Sequence, residues 1–145
     1  MKSKNYKKPI GTSSSSHEPM MSYIGSPAHK LLKDFTFNEF KKVSSKIDFT
    51  QKEWADILHI SERTLQRYSK DNTSFSFSAT DRILQINKVI TRGKEVFGSV
   101  EKFNLWLREN HSMPEAELSI YSLATFEGIN HLLTQLGRIE HGILA

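Results

Sequence analysis

From Pro27 onward the apolar residues of this chain recur every three or four positions, and nowhere do they alternate over a useful length. That period lines one face of a helix, so the pattern predicts an all-α protein. Residues 28–34 and 37–47 form two short amphipathic segments, with Leu31, Leu32, Phe35, Phe37, Phe40, Val43 and Ile47 as their apolar set. Thr50 followed by Glu53 is a capping-box pattern and opens a helix through Leu58. Ser61 caps the next helix, which runs to about Lys70, and Asp71 to Ser74 read as a linker. Ser78 starts a long helix with Ile83, Ile86, Ile90 and Phe97 near one face. Gly98 stops it, and Ser99 caps a short helix carrying Val100, Phe103, Trp106 and Leu107. Of these, Phe97, Phe103 and Trp106 are expected in the core. Asn110 to Glu117 reads as a loop around Pro114, followed by one turn of helix from Ile120 to Leu123.

Thr125 caps a last helix whose apolar residues are Ile129, Leu132, Leu133, Leu136, Ile139 and Ile143. The period passes unbroken through Gly137, so that glycine stays inside the helix at a cost of about 1 kcal/mol relative to Ala. A glycine kept there reads as a place where another element comes close. Gly142 reads as the C-terminal cap.

Residues 1–26 differ from everything after them. They hold Ser13 to Ser16, Pro9, Pro19, Gly11 and Gly25, and bury too little apolar surface to offset ordering, so a disordered tail is expected. The division that follows is a tail over 1–26, a helix-turn-helix domain over 27–74 and a small helical domain over 75–145. The formal charge is +4, unevenly spread. Residues 1–26 and 27–47 each carry +3, residues 48–70 balance four bases against four acids, and residues 71–145 carry −2. The N-terminal half therefore suits a polyanion and the C-terminal half does not, although a solvated surface with a basic tail has the same count. Cysteine is absent, which excludes disulfides and thiolate metal sites and is compatible with the cytoplasm. No apolar run is long enough to span a bilayer, and the N-terminus shows charges without the apolar centre of a secretory signal.

Residues 51–70 have the spacing of a DNA-binding helix-turn-helix. Two helices that cross closely require a small residue in the first, and Ala55 fills that place. The turn needs one residue near left-handed geometry. Glycine is usual there; here the residue is His59, one of the few other types that tolerate the region. Leu65 pins the second helix to the first, and Ile57, Leu58 and Ile60 finish the small core. Glu62, Arg63, Thr64, Gln66, Arg67 and Lys70 remain on the second helix, with a net charge of +2. Arginine pairs bidentately with guanine and glutamine with adenine in the major groove. Thr50 and Gln51 at the start of the first helix are placed to donate to phosphate. The candidate DNA surface is thus Thr50, Gln51, Ser61, Arg63, Thr64, Gln66, Arg67 and Lys70. A plain helical hairpin with a charged solvated face satisfies the same pattern.

Further motifs follow it: Ala79-Thr80-Asp81-Arg82, Glu95-Val96-Phe97-Gly98, Phe103-Asn104-Leu105-Trp106-Leu107, Thr125 with Gly128, and Leu136 to Gly142 with Ala145. In this order, over residues 37–145, the chain resembles the antitoxins of the Xre/MbcA/ParS family. The resemblance implies a type II toxin–antitoxin system whose partner is a RES-domain toxin, an enzyme that consumes NAD. It implies a C-terminal domain that blocks the toxin's active site, and a Cro-like helix-turn-helix that binds operator DNA and represses the shared operon. It implies a homodimer or a larger hetero-oligomer with the toxin, and no cofactor. One stretch departs from the pattern: the family's small-residue Ala-Leu-Gly-Gly loop with a following Pro-Leu is replaced by Ser112 to Tyr121.

The toxin-facing residues expected at the end of the chain are Leu136, Arg138, Glu140, His141, Gly142 and Ala145. Arg138, His141 and the carboxylate of Ala145 can make charge-assisted bonds in a pocket built for dinucleotide phosphates and ribose. A solvated helix face accounts equally well for Arg138 and Glu140, and a cation meeting the helix dipole for His141. No catalytic constellation is visible, and no two of the six histidines stand at i, i+3 or i+4. Glu127 and His131 are four apart, but a single such pair is more often two solvated side chains than a metal site. The residues leave a second reading open: a stand-alone transcription regulator whose C-terminal half serves dimerisation.

Overall fold

A computed structural model describes residues 35–109, 111–112 and 117–142. The tail over 1–26, the segment 28–34, Pro114, and Ile143 and Ala145 at the other end lie outside these residues.

Six α-helices in chain order account for most of the described chain: α1 Phe37–Ser44, α2 Gln51–Ile57, α3 Glu62–Asp71, α4 Phe77–Phe97, α5 Val100–Arg108 and α6 Phe126–Glu140. A short 3₁₀ helix spans Ile120–Ala124, and β1 His111–Ser112 pairs antiparallel with β2 Glu117–Leu118. That two-residue ladder falls in the stretch expected as loop, where no strand is predicted. It is too short for side-chain alternation to show in a sequence.

The helix boundaries are built by local chemistry. At α2 the Thr50 hydroxyl accepts from the Glu53 amide at 3.1 Å while the Glu53 carboxylate accepts from the Thr50 amide at 2.8 Å. Ser61, Ser99 and Thr125 each accept from the amide three residues on, which satisfies one otherwise orphaned donor at the start of α3, α5 and α6. Helix α4 begins at Phe77, just ahead of the expected Ser78. Ser76, not Ser78, supplies the cap, so Phe77 becomes its first residue. Gly98 ends α4 with φ +85°. At the end of α6 Gly142 takes φ +67°, one position beyond the capping His141.

Residues 72–74 are a pinned turn, and Asp71 belongs to the end of α3. Asn72 ends α3 in left-handed geometry, its side chain accepts from the Asn38 amide at 2.9 Å, and Thr36 bridges Ser74. Phe75, just beyond, is 4% exposed and gathers Phe35, Phe37, Phe40 and Tyr68 around its ring. Trp54 lies edge-on to Phe40 and beside Phe49. Helix α4 is the central column: Ile83, Ile86, Val89 and Ile90 are buried, and α1, α5 and α6 pack on it. Phe103, Leu107, Leu123, Ile129, Leu132 and Leu136 complete a core that is continuous with that of the helix-turn-helix. Phe97 and Trp106 are half-buried and stacked around Phe103.

Two glycines mark close approaches. A Cβ on Gly93 would lie 2.3 Å from the Phe103 ring, and one on Gly128 would lie 2.1 Å from the Ser122 carbonyl oxygen. Gly137 is a correction: among the described residues nothing lies within 4 Å of where its Cβ would be, so no described element approaches there.

Candidate functional site

The turn between α2 and α3 fixes how α3 is presented. His59 has φ +58°, the left-handed value the turn requires, and Ala55 and Leu65 are 1% and 3% exposed at the helix crossing. The His59 Nε2 stands 2.7 Å from the Ala124 carbonyl. A carbonyl only accepts, so Nε2 carries the proton and donates. This bond ties the turn to the end of the 3₁₀ helix, 65 residues away.

From that turn α3 presents Arg63, Gln66, Arg67 and Lys70 at steps of three, one and three, all exposed. They form one stripe along the helix. Among the described residues none of Arg63, Arg67 and Lys70 has a carboxylate partner, so the stripe is not neutralised; the Arg67 guanidinium lies 5.8 Å from the Tyr68 ring. Gln51 and Gln66 line the same cleft of 430 Å³, with Ser44 and Ser69 on its polar side and Trp54 and Leu65 at its floor. The structure therefore brings Gln51 together with Gln66, one member of the α3 stripe.

Thr50, Ser61 and Thr64 are placed differently. The Thr50 hydroxyl is occupied by the capping box. The Ser61 hydroxyl accepts from the Thr64 amide at 3.0 Å and donates to the Thr64 hydroxyl at 2.8 Å. Their first role is to cap the starts of α2 and α3.

The C-terminal residues also divide. Leu136 is fully buried, so it anchors α6 in the core and is not part of an outward surface, which corrects its expected place among surface contacts. Arg138, His141 and Gly142 are exposed. Glu140 is held in a fork by Arg92 of α4: Nη1 donates to Oε1 at 3.1 Å and Nη2 to Oε2, while Nη1 also reaches Glu95 at 3.3 Å. The Arg92 hydrogen bonds hold the Glu140 carboxyl below the ordinary carboxylate range. Ala145 lies outside the described residues. Glu127 and His131 stand 4.0 Å apart, and among the described residues no cluster of three metal-ligating side chains occurs.

Sequence reasoning missed a second strap between the halves. Arg108, at the end of α5, donates to Glu53 Oε1 at 2.8 Å, to Oε2 at 3.1 Å and to the Asp48 carbonyl at 2.8 Å. The hydrogen bonds from Arg108 to the carboxylate lower the Glu53 pKa from its ordinary value. One carboxylate thus caps α2 and binds α5. The partners are 55 residues apart, and no local pattern announces such a pair.

Comparison with known families bears on this geometry directly. Residues 37–88 match the antitoxin Xre-like helix-turn-helix domain. The match runs from the first residue of α1 to the middle of α4 and contains the turn at His59 and the whole α3 stripe. The Xre-like segment supports an antitoxin or DNA-binding regulator; residues 89–145 lie outside it. No curated protein matches the chain. Among the described residues no helix is long and apolar enough to cross a membrane.

Proposed function

We propose that this chain is the antitoxin of a type II toxin–antitoxin pair. In this reading residues 75–145 bind a RES-domain, NAD-consuming toxin and close its active site, and residues 27–74 read operator DNA and repress the operon. The observation that carries the proposal is the Xre-like antitoxin match over residues 37–88, which encloses the unneutralised stripe of Arg63, Gln66, Arg67 and Lys70. Arg138, His141 and Gly142 are exposed on α6 and just past it, as a toxin-facing end requires. Such an antitoxin acts as a homodimer or in a larger complex with its toxin, in the cytoplasm and without a cofactor of its own.

The test is co-expression with the product of the neighbouring reading frame, followed by pull-down and measurement of cellular NAD. A stable complex and restored NAD support the proposal. Removal of all residues after Leu136 should abolish the rescue while operator binding persists. No complex and no change in NAD would instead favour a stand-alone regulator, and rescue by the shortened chain would show that the end of α6 does not do the blocking.

A further inference from the structure

Helix α4 carries a row of side chains that neither the operator surface nor the end of α6 uses. Phe77, Asp81, Leu84, Lys88, Thr91 and Glu95 follow one another at steps of four and three residues, and all are exposed. That spacing keeps them on one side of the helix over about 27 Å. The opposite side, with Ile83, Ile86 and Ile90, is in the core. Phe77 is 49% and Leu84 37% exposed, which puts two large apolar groups on a face otherwise polar.

The charges on this face are self-complementary in only one arrangement. Leu84 has an acid three residues before it, Asp81, and a base four residues after it, Lys88. Two copies of α4 laid antiparallel, with both Leu84 side chains beside a two-fold axis, set Asp81 of each copy against Lys88 of the other. The ion pair then occurs twice, as an isologous interface demands. The Phe77 ring of each copy falls by the turn of the other that holds Thr91. A parallel arrangement sets Asp81 on Asp81 and Lys88 on Lys88, which repel. Both groups are available for the pairing. Among the described residues Lys88 has no carboxylate partner, and Asp81 uses one oxygen, Oδ2, to accept from Gln85 at 2.8 Å.

We propose that this face of α4 is where two copies of the chain associate, as an antiparallel helix pair centred on Leu84. The proposal deepens the homodimer part of the function above, and its test is independent of toxin capture. A single helix pair buries less than a standard interface of about 1,600 Å², so the dimer is weak, with a dissociation constant in the micromolar range.

Sedimentation velocity on the full chain between about 1 and 100 µM brackets that range. Wild type should pass from monomer to dimer across it. Leu84→Glu, Asp81→Lys and Lys88→Asp should each weaken the dimer at least about tenfold, with helical content unchanged. Asp81→Lys combined with Lys88→Asp should restore it. Mixing the two single charge variants should give a heterodimer tighter than either homodimer, because all four charges then pair. A chain monomeric throughout overturns the proposal. So does a dimer indifferent to Leu84→Glu, or a double reversal that fails to rescue. If Leu84→Glu leaves the dimer intact but abolishes toxin pull-down, the face belongs to the toxin and the proposal fails.

Discussion

One methyl group should separate two glycines that look alike in the sequence. Gly93 and Gly137 both lie inside helices, flanked by apolar residues. Gly93→Ala drives a Cβ into the ring of fully buried Phe103 and should cost about 1–3 kcal/mol. Gly137→Ala meets nothing within 4 Å among the described residues and should gain up to about 1 kcal/mol from helix propensity. Thermal unfolding followed by circular dichroism decides both; equal melting temperatures for the two variants would contradict the packing described. Leu136→Ala should cost about 2–5 kcal/mol, since its side chain is wholly enclosed. Failure of that variant to neutralise a toxin would therefore report lost folding, and a melting curve at wild-type temperature would show otherwise. What could be read at this scale was whatever depends on the chain's own backbone. The left-handed residue at His59 was legible because a helix-turn-helix needs one at that step. The neighbour of Gly93 was not, because Phe103 reaches it from another helix. Phe75 and Phe77 alternate with serines alike in the sequence, so nothing local tells the buried ring from the exposed one.

Element boundaries were legible wherever a side chain caps its own helix, as Thr50, Ser61, Ser99 and Thr125 do. The start of α4 slipped because Ser76 and Ser78 offer the same cap two residues apart. How the elements join was not legible, and the Glu53–Arg108 fork is the plainest case. Arg108 holds the Glu53 carboxyl below its ordinary range, so the charged form favours the folded state. That contribution is complete above the unfolded pKa of about 4.3 and is lost as pH falls through the lower folded value. Glu53→Gln should destabilise the protein at neutral pH by about 1–2 kcal/mol, at the modest end because Arg108 is partly exposed. The difference from wild type should shrink on acidification below about pH 4. Urea unfolding at neutral and acid pH checks this, and an undiminished difference in acid would remove the charge from the account.

On the scale of the whole molecule, the apolar pattern did foretell an all-α chain with a helix-turn-helix ahead of a further helical part. It did not foretell that the two share one core. The matched segment ends at Lys88, halfway along α4, where Ile83 and Ile86 still depend on elements that come later. A fragment of residues 27–88 should accordingly lack a cooperative melting transition, whereas the intact chain should show one. A sharp transition from the fragment, seen by circular dichroism, would mean that the N-terminal half stands alone. The two straps, His59 to Ala124 and Arg108 to Glu53, carry a further consequence for a chain seated on DNA. With α3 in a groove, whatever rides on α5 or α6 has no tether on which to swivel. Its compass bearing around the duplex is then set by the half-site it occupies. Two copies spaced by one helical repeat, about 10.5 base pairs, would hold their cargo side by side. Inserting half a repeat would turn one cargo to the far side of the DNA.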